Sequence, residues 1–357
     1  MRKPSFPAIF VCCLTLMLSC STWVYATTSP IDNSRAVILL YHHVSTQTPP
    51  STSISPQQFA QHLNYLNQHH QVISLVDAMT AIRQQQPLPD KSVVITFDDG
   101  YRNILENAHP LLMQYKMPYT IFVNPGVVGE QAGHLTWQEM QQMSDDGVLF
   151  ANHSLRHNHL LTRNEAEDEK QWLTRTVADI EQAEEMLAEQ LGYSLRYVAY
   201  PFGEYNLALK DALQAKGYIG FGQQSGAVGA RSDFGAIPRF PAAGIYANLN
   251  TLKTKMSSLP LALIEDAIDP MQSLGASPQV MLKPANQAIK PASITCFYNN
   301  SPIEVNRHEK SISFTLPTPL GAGRSRVNCT APSGLAGRFY WYSQPFFVAD
   351  KNGLYPD

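Results

Sequence analysis

The sequence has little charge, few cysteines and no long apolar run. Only 15% of its 357 residues are charged and the formal net charge is −3, so nothing indicates nucleic acid or an anionic membrane as a partner. The most apolar segment near the start, residues 8–18, is too short to span a bilayer comfortably. The length suits one large domain, or one domain of medium size and one small.

The first residues have the pattern of a secretory signal peptide. Arg2 and Lys3 precede the apolar run, and a motif of small residues ends at Ala26. This pattern predicts a signal peptide over residues 1–26 that is cleaved near Ala26. The alternative is a lipoprotein signal with Cys20 lipidated. We therefore expect an exported protein that is periplasmic, associated with the outer membrane, or secreted.

Cysteine usage agrees with export. Of the five cysteines, three lie before the predicted cleavage point, which leaves Cys296 and Cys329. Two cysteines in strand-like segments of an exported protein predict one disulfide. The alternative is a pair of free buried thiols.

The chain divides into three parts by composition. Strand and helix patterns alternate over residues 35–268, which predicts a parallel α/β architecture of barrel or barrel-like form. Residues 269–292 are rich in Pro, Gln, Ser and Ala, and are predicted to be a linker. Short strand patterns fill residues 293–357, which predicts a small all-β, sandwich-like module.

The all-β module contains a run of aromatic residues with two interpretations. They could form a stacking surface for glycan, or they could pack in the core of the module, which the alternating pattern favours. The module could also bind an envelope partner. The aromatic residues are Tyr340, Trp341, Tyr342, Phe346 and Phe347.

Two groups of polar residues follow predicted strands. Asp98 and Asp99 come directly after the strand in VVITFDDGY, and His153 and His157 lie four residues apart in ANHSLRH. A helical turn would place both imidazoles on one face, where they can bind one metal ion. Taken singly, each group has a plainer interpretation: a strand-end turn with solvated acids, and a His-rich surface loop.

Together the two groups predict a metal site. A carboxylate and two imidazoles suit Zn²⁺, with Co²⁺, Ni²⁺ or Fe²⁺ as alternatives. Such an ion activates water, and a second carboxylate beside it can take the proton. One aspartate would then bind the ion and the other would accept the proton, which would explain why two aspartates are adjacent in the sequence.

Three motifs resemble a known family. TFDDG, NHSLRH and AYPFGEYN are similar, in this order, to the first three motifs of the NodB-type polysaccharide deacetylases. LLYHHV and the PFGEYN form of the third motif are closest to the exported deacetylases of poly-β-1,6-N-acetylglucosamine, a biofilm polysaccharide. The resemblance covers roughly residues 36–244. It implies a distorted (β/α) barrel and metal-dependent removal of N-acetyl groups from an amino-sugar polysaccharide.

The resemblance also implies roles for single residues. Asp98 would be the general base, and Asp99, His153 and His157 the metal ligands. Arg239 is the candidate for orienting Asp98, with Arg196 as the alternative. The substrate groove would be lined by the third motif, with the Phe202 N–H as an oxyanion donor; its residues are Tyr200, Pro201, Phe202 and Gly203. The plainer interpretation of the third motif is an ordinary Pro-Gly loop.

One family feature is missing. The Leu-x-His motif that supplies the general acid is not found, because the only histidine after Arg239 is His308 in the predicted β module. His42 could reach the site from the first strand and contact substrate, although a hydrogen-bonded core histidine is the favoured interpretation. Two other functions stay open: an O-acetyl esterase on the same scaffold, and a glycan-binding protein with weak or no turnover.

Overall fold

The computed structural model describes residues 1, 33–264 and 268–356. The predicted signal peptide, its cleavage near Ala26 and the alternative lipidation at Cys20 lie outside the described residues and stay predictions. The described residues from 33 onward belong to one compact unit. None of the described helices is both long and apolar enough to cross a membrane.

The secondary structure alternates between strands and helices up to α7. The helices are α1 (Pro56–His69), α2 (Leu75–Arg83), α3 (His109–Tyr115), α4 (Trp137–Asp145), α5 (Glu169–Leu191), α6 (Leu207–Ala215) and α7 (Leu249–Met256). The strands in and around them are β1 (Arg35–Tyr41), β2 (His43–Val44), β3 (Ser53–Ile54), β4 (Gln71–Val72), β5 (Ser92–Phe97), β6 (Tyr119–Val123), β7 (Leu149–Asn152), β8 (Tyr197–Ala199), β9 (Ile219–Phe221), β10 (Ala227–Gly229), β11 (Phe240–Pro241) and β12 (Leu259–Pro260). The C-terminal strands are β13 (Met271–Gln272), β14 (Gln279–Leu282), β15 (Thr295–Tyr298), β16 (Ser301–Ile303), β17 (Asn306–Arg307), β18 (Ile312–Thr315), β19 (Gly323–Pro332) and β20 (Phe339–Val348).

The main sheet is largely parallel, as the sequence predicts. Its strand order is β10-β1-β5-β6-β7-β8-β9, with β11 beside β1 and β4 beside β5. All these pairs are parallel except β1 with β10. A largely parallel sheet with helices between its strands confirms the predicted α/β fold class of this region.

Apolar residues on both faces of the sheet explain its continuous hydrophobic strands. In β1, Val37 and Leu39 belong to a core cluster that includes residues of α1, α3 and α4. Their neighbours Ala36 and Ile38 belong to a second cluster, which α2 covers. Because successive side chains of β1 point to opposite faces of the sheet, this strand contributes to two hydrophobic cores.

The helix ends follow local capping chemistry. Ser55 caps α1 with Pro56 in its first turn, and Thr136 with Glu139 forms a capping box on α4. A capping box formed by Asp168 and Gln171 begins α5.

Two C-terminal sheets share one core. One has the order β12-β20-β19-β15-β16 with β13 beside β20, and the other has the order β14-β18-β17. Val280, Phe314 and Val327 from three of these strands lie in the same buried cluster. This confirms the all-β architecture at the C-terminus.

The segment predicted as a linker, residues 269–292, contributes to these sheets. Within it, β13 pairs with β20 and β14 pairs with β18. From the preceding part of the chain, β12 pairs with β20. The division into domains therefore stays a prediction.

The aromatic run of the C-terminal sheets packs largely inward: Phe346 and Phe347 are buried, and Trp341 stacks edge-on against Phe240.

The predicted disulfide is present between Cys296 and Cys329. These residues face each other across β15 and β19 and are fully buried in the C-terminal core. The bond closes a loop with a sequence separation of 33 residues.

Replacing both cysteines with alanine is expected to lower the free energy of unfolding by about 4 kcal/mol, because the crosslink restricts the unfolded chain. Urea unfolding of the double variant and of the reduced wild-type protein measures this loss. Unchanged midpoints in both would show that the bond contributes nothing to stability.

Candidate active site

Three side chains that could hold a metal ion converge at the carboxyl ends of β5 and β7. One ligand atom from each of Asp99, His153 and His157 lies within 4.8 Å of the other two. Asp99 Oδ1 is 3.2 Å from His153 Nε2 and 3.3 Å from His157 Nε2. The structure therefore brings together the three predicted ligands.

Turns, and not regular secondary structure, place these side chains. Strand β5 ends at Phe97, and Asp99 has a left-handed backbone with φ 71°. The chain after β7 is not helical: Ser154 has φ 65° and His157 has φ 58°. The helical turn expected for the histidine pair is therefore wrong. The two imidazoles meet because the Ser154 hydroxyl accepts a hydrogen bond from the His157 N–H at 3.1 Å and tightens the turn.

The donor set and its surroundings fit a divalent ion. His153 Nε2 and Asp99 Oδ1 are buried and have no hydrogen-bond partner, which is costly unless something else satisfies them. His153 Nδ1 contacts the Ala199 carbonyl oxygen at 2.8 Å, which leaves Nε2 facing Asp99. Tetrahedral Zn²⁺ with bonds of about 2.0–2.1 Å separates its ligand atoms by about 3.3 Å, close to the distances observed.

Asp98 is held by Arg239 in a buried bidentate ion pair. Arg239 donates to the two Asp98 oxygens at 2.7 and 2.8 Å, and both side chains are fully buried. The guanidinium also donates to the Gly222 carbonyl at 3.0 Å and lies against the ring of Phe122. The alternative, Arg196, lies elsewhere and donates to the Lys216 carbonyl.

The electrostatics keep both aspartates ionised. Burial alone would raise the pKa of Asp98, but the charge of Arg239 and the neighbouring His153 lower it below its ordinary value. The pKa of Asp99 is lowered as well: burial opposes ionisation, and His153, His42 and His157 outweigh it. Burial, followed by the charge of His153, lowers the pKa of His157 to about 4. A neutral imidazole is the form that binds a metal.

The match to a family model decides the identity of this region. Residues 85–220 match the model described as polysaccharide deacetylase. The chain contains a polysaccharide deacetylase domain. The matched stretch contains both aspartates and both histidines of the site, whereas His42 and Arg239 lie outside it. The prediction of this family and of its enzyme class is confirmed.

Curated relatives resemble the deacetylase domain. YxkH of Bacillus subtilis (strain 168) is 28% identical over 201 residues, which are 56% of this chain and 66% of the relative. A protein of Staphylococcus aureus (strain MRSA252), named poly-beta-1,6-N-acetyl-D-glucosamine N-deacetylase, is 28% identical over 206 residues, or 56% of this chain and 71% of the relative. The chain thus spans about two thirds of these relatives.

Solved structures share the fold of the deacetylase domain. IcaB from Ammonifex degensii aligns with a TM-score of 0.50 at 26% identity, and covers 58% of this chain and 91% of its own. The Streptococcus pyogenes deacetylase PplD, in complex with acetate, aligns with a TM-score of 0.54 at 22% identity, covering 61% of this chain and 97% of its own.

A cleft of about 840 Å³ opens at the candidate metal-binding group of the deacetylase domain, which consists of Asp99, His153 and His157. Asp99 and His157 lie on its wall, together with His42 and Phe202. Asp98 is fully buried, and its Oδ2 lies 3.9 Å from His153 Nε2. Asp98 can therefore act only on a molecule that reaches the point where the three ligand atoms converge.

The third motif reaches the cleft through two of its four predicted residues. Phe202 and Gly203 line the cleft, and Phe202 has a left-handed backbone with φ 57°. Tyr200 and Pro201 are buried instead and do not line it. The Tyr200 hydroxyl donates to the Gly235 carbonyl at 2.7 Å. The geometry therefore does not support substrate contact by Tyr200 and Pro201.

Residues missed by the sequence analysis surround Phe202 and Asp99. The Phe202 ring stacks on His159 with centroids 3.9 Å apart, and His159 pairs with the buried Glu204 at 3.0 Å. Arg324 of β19 donates to the Phe202 carbonyl at 2.9 Å. Tyr101, which directly follows the DDG turn, lines the cleft. Tyr101, His159 and Glu204 carried a sequence signal, because they stand beside or within the motifs; Arg324 carried none, because it is too distant in sequence.

Proposed function

We propose that the protein is a metal-dependent hydrolase that removes N-acetyl groups from an amino-sugar polysaccharide, either poly-N-acetylglucosamine or a chitin-like polymer. The observation that carries the proposal is the buried Asp98–Arg239 pair beside the Asp99–His153–His157 group, at the base of a large cleft. Asp99, His153 and His157 would hold the ion. Zn²⁺ fits the ligands best, with Co²⁺ or Ni²⁺ as alternatives.

Each step of amide hydrolysis has a residue suited to it. The ion supplies Lewis acidity when it is bound. Asp98 is the general base, and Arg239 keeps it ionised and aligned. Phe202 is the oxyanion donor through its backbone N–H, since its strained conformation lies on the cleft wall.

His42 is the candidate for donating a proton to the leaving amine. It lies on the cleft wall with Asp99 and His157, and its charge contributes to lowering the pKa of Asp98 and Asp99. This position fits the predicted substrate contact and does not fit a core histidine. An imidazole at this place can replace the missing Leu-x-His motif.

A substrate test distinguishes the proposal from its alternatives. Purified residues 27–357 are incubated with N-acetylglucosamine oligomers of β-1,6 or β-1,4 linkage, with chelator, and after addition of Zn²⁺ or Co²⁺. We expect acetate release that chelator abolishes and metal restores, and the preferred linkage identifies the polymer. Release only from O-acetylated xylan would indicate the esterase, and glycan binding without any release would indicate a binding protein; both would overturn the proposal.

A further inference from the structure

The C-terminal sheets form one wall of the cleft. Along β19, Arg324, Arg326 and Asn328 line the cleft, and they alternate with Val327 and Cys329, which are buried in the C-terminal core. This is the alternation of a strand with one face on a core and the other facing outward. A substrate that fills the cleft must therefore touch the C-terminal part of the chain.

A hairpin tip adds two amide side chains to the same wall. Asn299 and Asn300 join β15 to β16, and both have positive φ, 48° and 63°. Positive φ at both central residues is typical of a two-residue type I′ turn, in which asparagine is common. Both residues are exposed and line the cleft, where carboxamides can donate to and accept from sugar hydroxyls.

Two cations share one aromatic ring of this wall. Tyr246 and Arg326 line the cleft, whereas Lys255 is not among the residues that line it and contacts the ring from behind the wall. Arg326 donates to the Tyr246 hydroxyl at 3.0 Å, and its guanidinium carbon lies 5.5 Å from the centroid of the Tyr246 ring. Lys255 Nζ lies 4.9 Å from the same centroid. Burial, followed by the charge of Arg326, lowers the pKa of Lys255 to about 8. We call Tyr246, Lys255 and Arg326 the cationic cluster.

Among the described residues, no Asp or Glu side chain forms an ion pair with the cationic cluster. Neither Arg326 nor Lys255 takes part in a salt bridge there, and no carboxylate acts on the pKa of Lys255. Asp99 is the only carboxylate among the described residues that line the cleft, and it belongs to the metal-binding group. Half-buried cations without a counter-charge are costly, and an anion entering the cleft would offset that cost.

We propose that the cationic cluster is a subsite for a negatively charged group of the bound glycan, a carboxylate or a phosphate ester. The proposal deepens the proposed function and rests on it, since it names the substrate class of the same cleft. The same charges disfavour an ammonium group, which deacetylation creates from a neutral amide. The enzyme therefore prefers acidic glycan over neutral glycan, and neutral glycan over a segment that is already deacetylated.

Binding measurements without turnover test this order. The full mature chain with Asp98→Asn is titrated by calorimetry with neutral chitotetraose, its 6-phosphorylated form, a tetrasaccharide of alternating N-acetylglucosamine and N-acetylmuramic acid, and fully de-N-acetylated chitotetraose. We expect the two anionic ligands to bind about tenfold more tightly than the neutral one, and the cationic ligand about tenfold more weakly. The tighter of the two anionic ligands distinguishes phosphate from carboxylate.

Three further substitutions assign the effect to the cationic cluster. Arg326→Gln and Lys255→Gln are each expected to reduce the differences between ligands severalfold, while Arg326→Lys retains most of them. Lys253→Gln is the matched control, because Lys253 is on the same helix but lies 4.9 Å from the centroid of the Tyr65 ring. A thermal midpoint for each variant verifies folding.

Different experimental results would overturn the proposed subsite and the proposed function. Equal affinities for all four ligands, or differences that Arg326→Gln leaves unchanged, would overturn the subsite even if the enzyme releases acetate. The expected order of affinities together with no acetate release from any glycan would support the subsite and overturn the proposed hydrolase.

Discussion

Replacing Asp98 with asparagine is expected to lower the rate of acetate release by about 10²–10⁴-fold, the contribution of a general base. Asparagine has a similar shape but cannot take a proton at neutral pH. Since Asp98 is not one of the three converging ligands, the variant is expected to bind one divalent ion as the wild type does. Acetate release and metal stoichiometry are measured on the same samples.

The control for this substitution is Asp211→Asn, which changes an exposed carboxylate on α6. It should leave both rate and metal binding unchanged. Full activity in Asp98→Asn would remove Asp98 from the reaction. Loss of the ion in this variant would show that Asp98 serves the metal and not the proton transfer.

Replacing Arg239 with glutamine is expected to lower the stability of the protein strongly. The change leaves Asp98 buried without its counter-charge, which costs about 3–5 kcal/mol in free energy of unfolding. Urea unfolding at neutral pH measures the loss. The double variant Asp98→Leu with Arg239→Met should recover part of this stability, because an apolar pair needs no counter-charge, but it should remain inactive.

The same substitution is expected to change the pH dependence. In the wild type, the lowered pKa of Asp98 contributes stability above the pKa of the unfolded chain, and this is lost only as pH falls through the folded value. Without Arg239, burial raises the pKa of Asp98, so the acid limb of the activity profile moves to higher pH. The stability difference from wild type should be largest near neutral pH and shrink in acid. An unshifted acid limb with a constant stability difference would contradict this role of Arg239.

The parallel sheet and the convergence of the three candidate metal ligands could be predicted from the sequence because their signals are local. Continuous apolar strands such as β1 indicate burial on both faces, and Asp99, His153 and His157 directly follow strand patterns. The carboxyl ends of parallel strands meet at one edge of a sheet, so residues that follow them come together. The turn that joins the two histidines was not predicted, since it depends on positive φ at residues other than glycine.

Long-range packing could not be predicted in the same way. Nothing in the sequence indicates that Arg324 contacts the Phe202 carbonyl, or that Arg326 reaches Tyr246, because each contact joins distant segments through the C-terminal sheets. Tyr200 is buried in an apolar cluster, and its hydroxyl donates to the carbonyl of Gly235, a residue 35 positions away. A motif predicts which residues are near a site, whereas packing decides which of them face the cleft.

The most direct test of the account is a metal titration of the chelated protein during acetate release. Zn²⁺ is added in fractions of one equivalent, and bound metal and rate are measured at each step. The account predicts that the rate rises in proportion to bound ion up to one equivalent, and that Asp99→Asn shows neither tight binding nor release. Full release before any metal is added, or one ion bound equally well by Asp99→Asn, would contradict it.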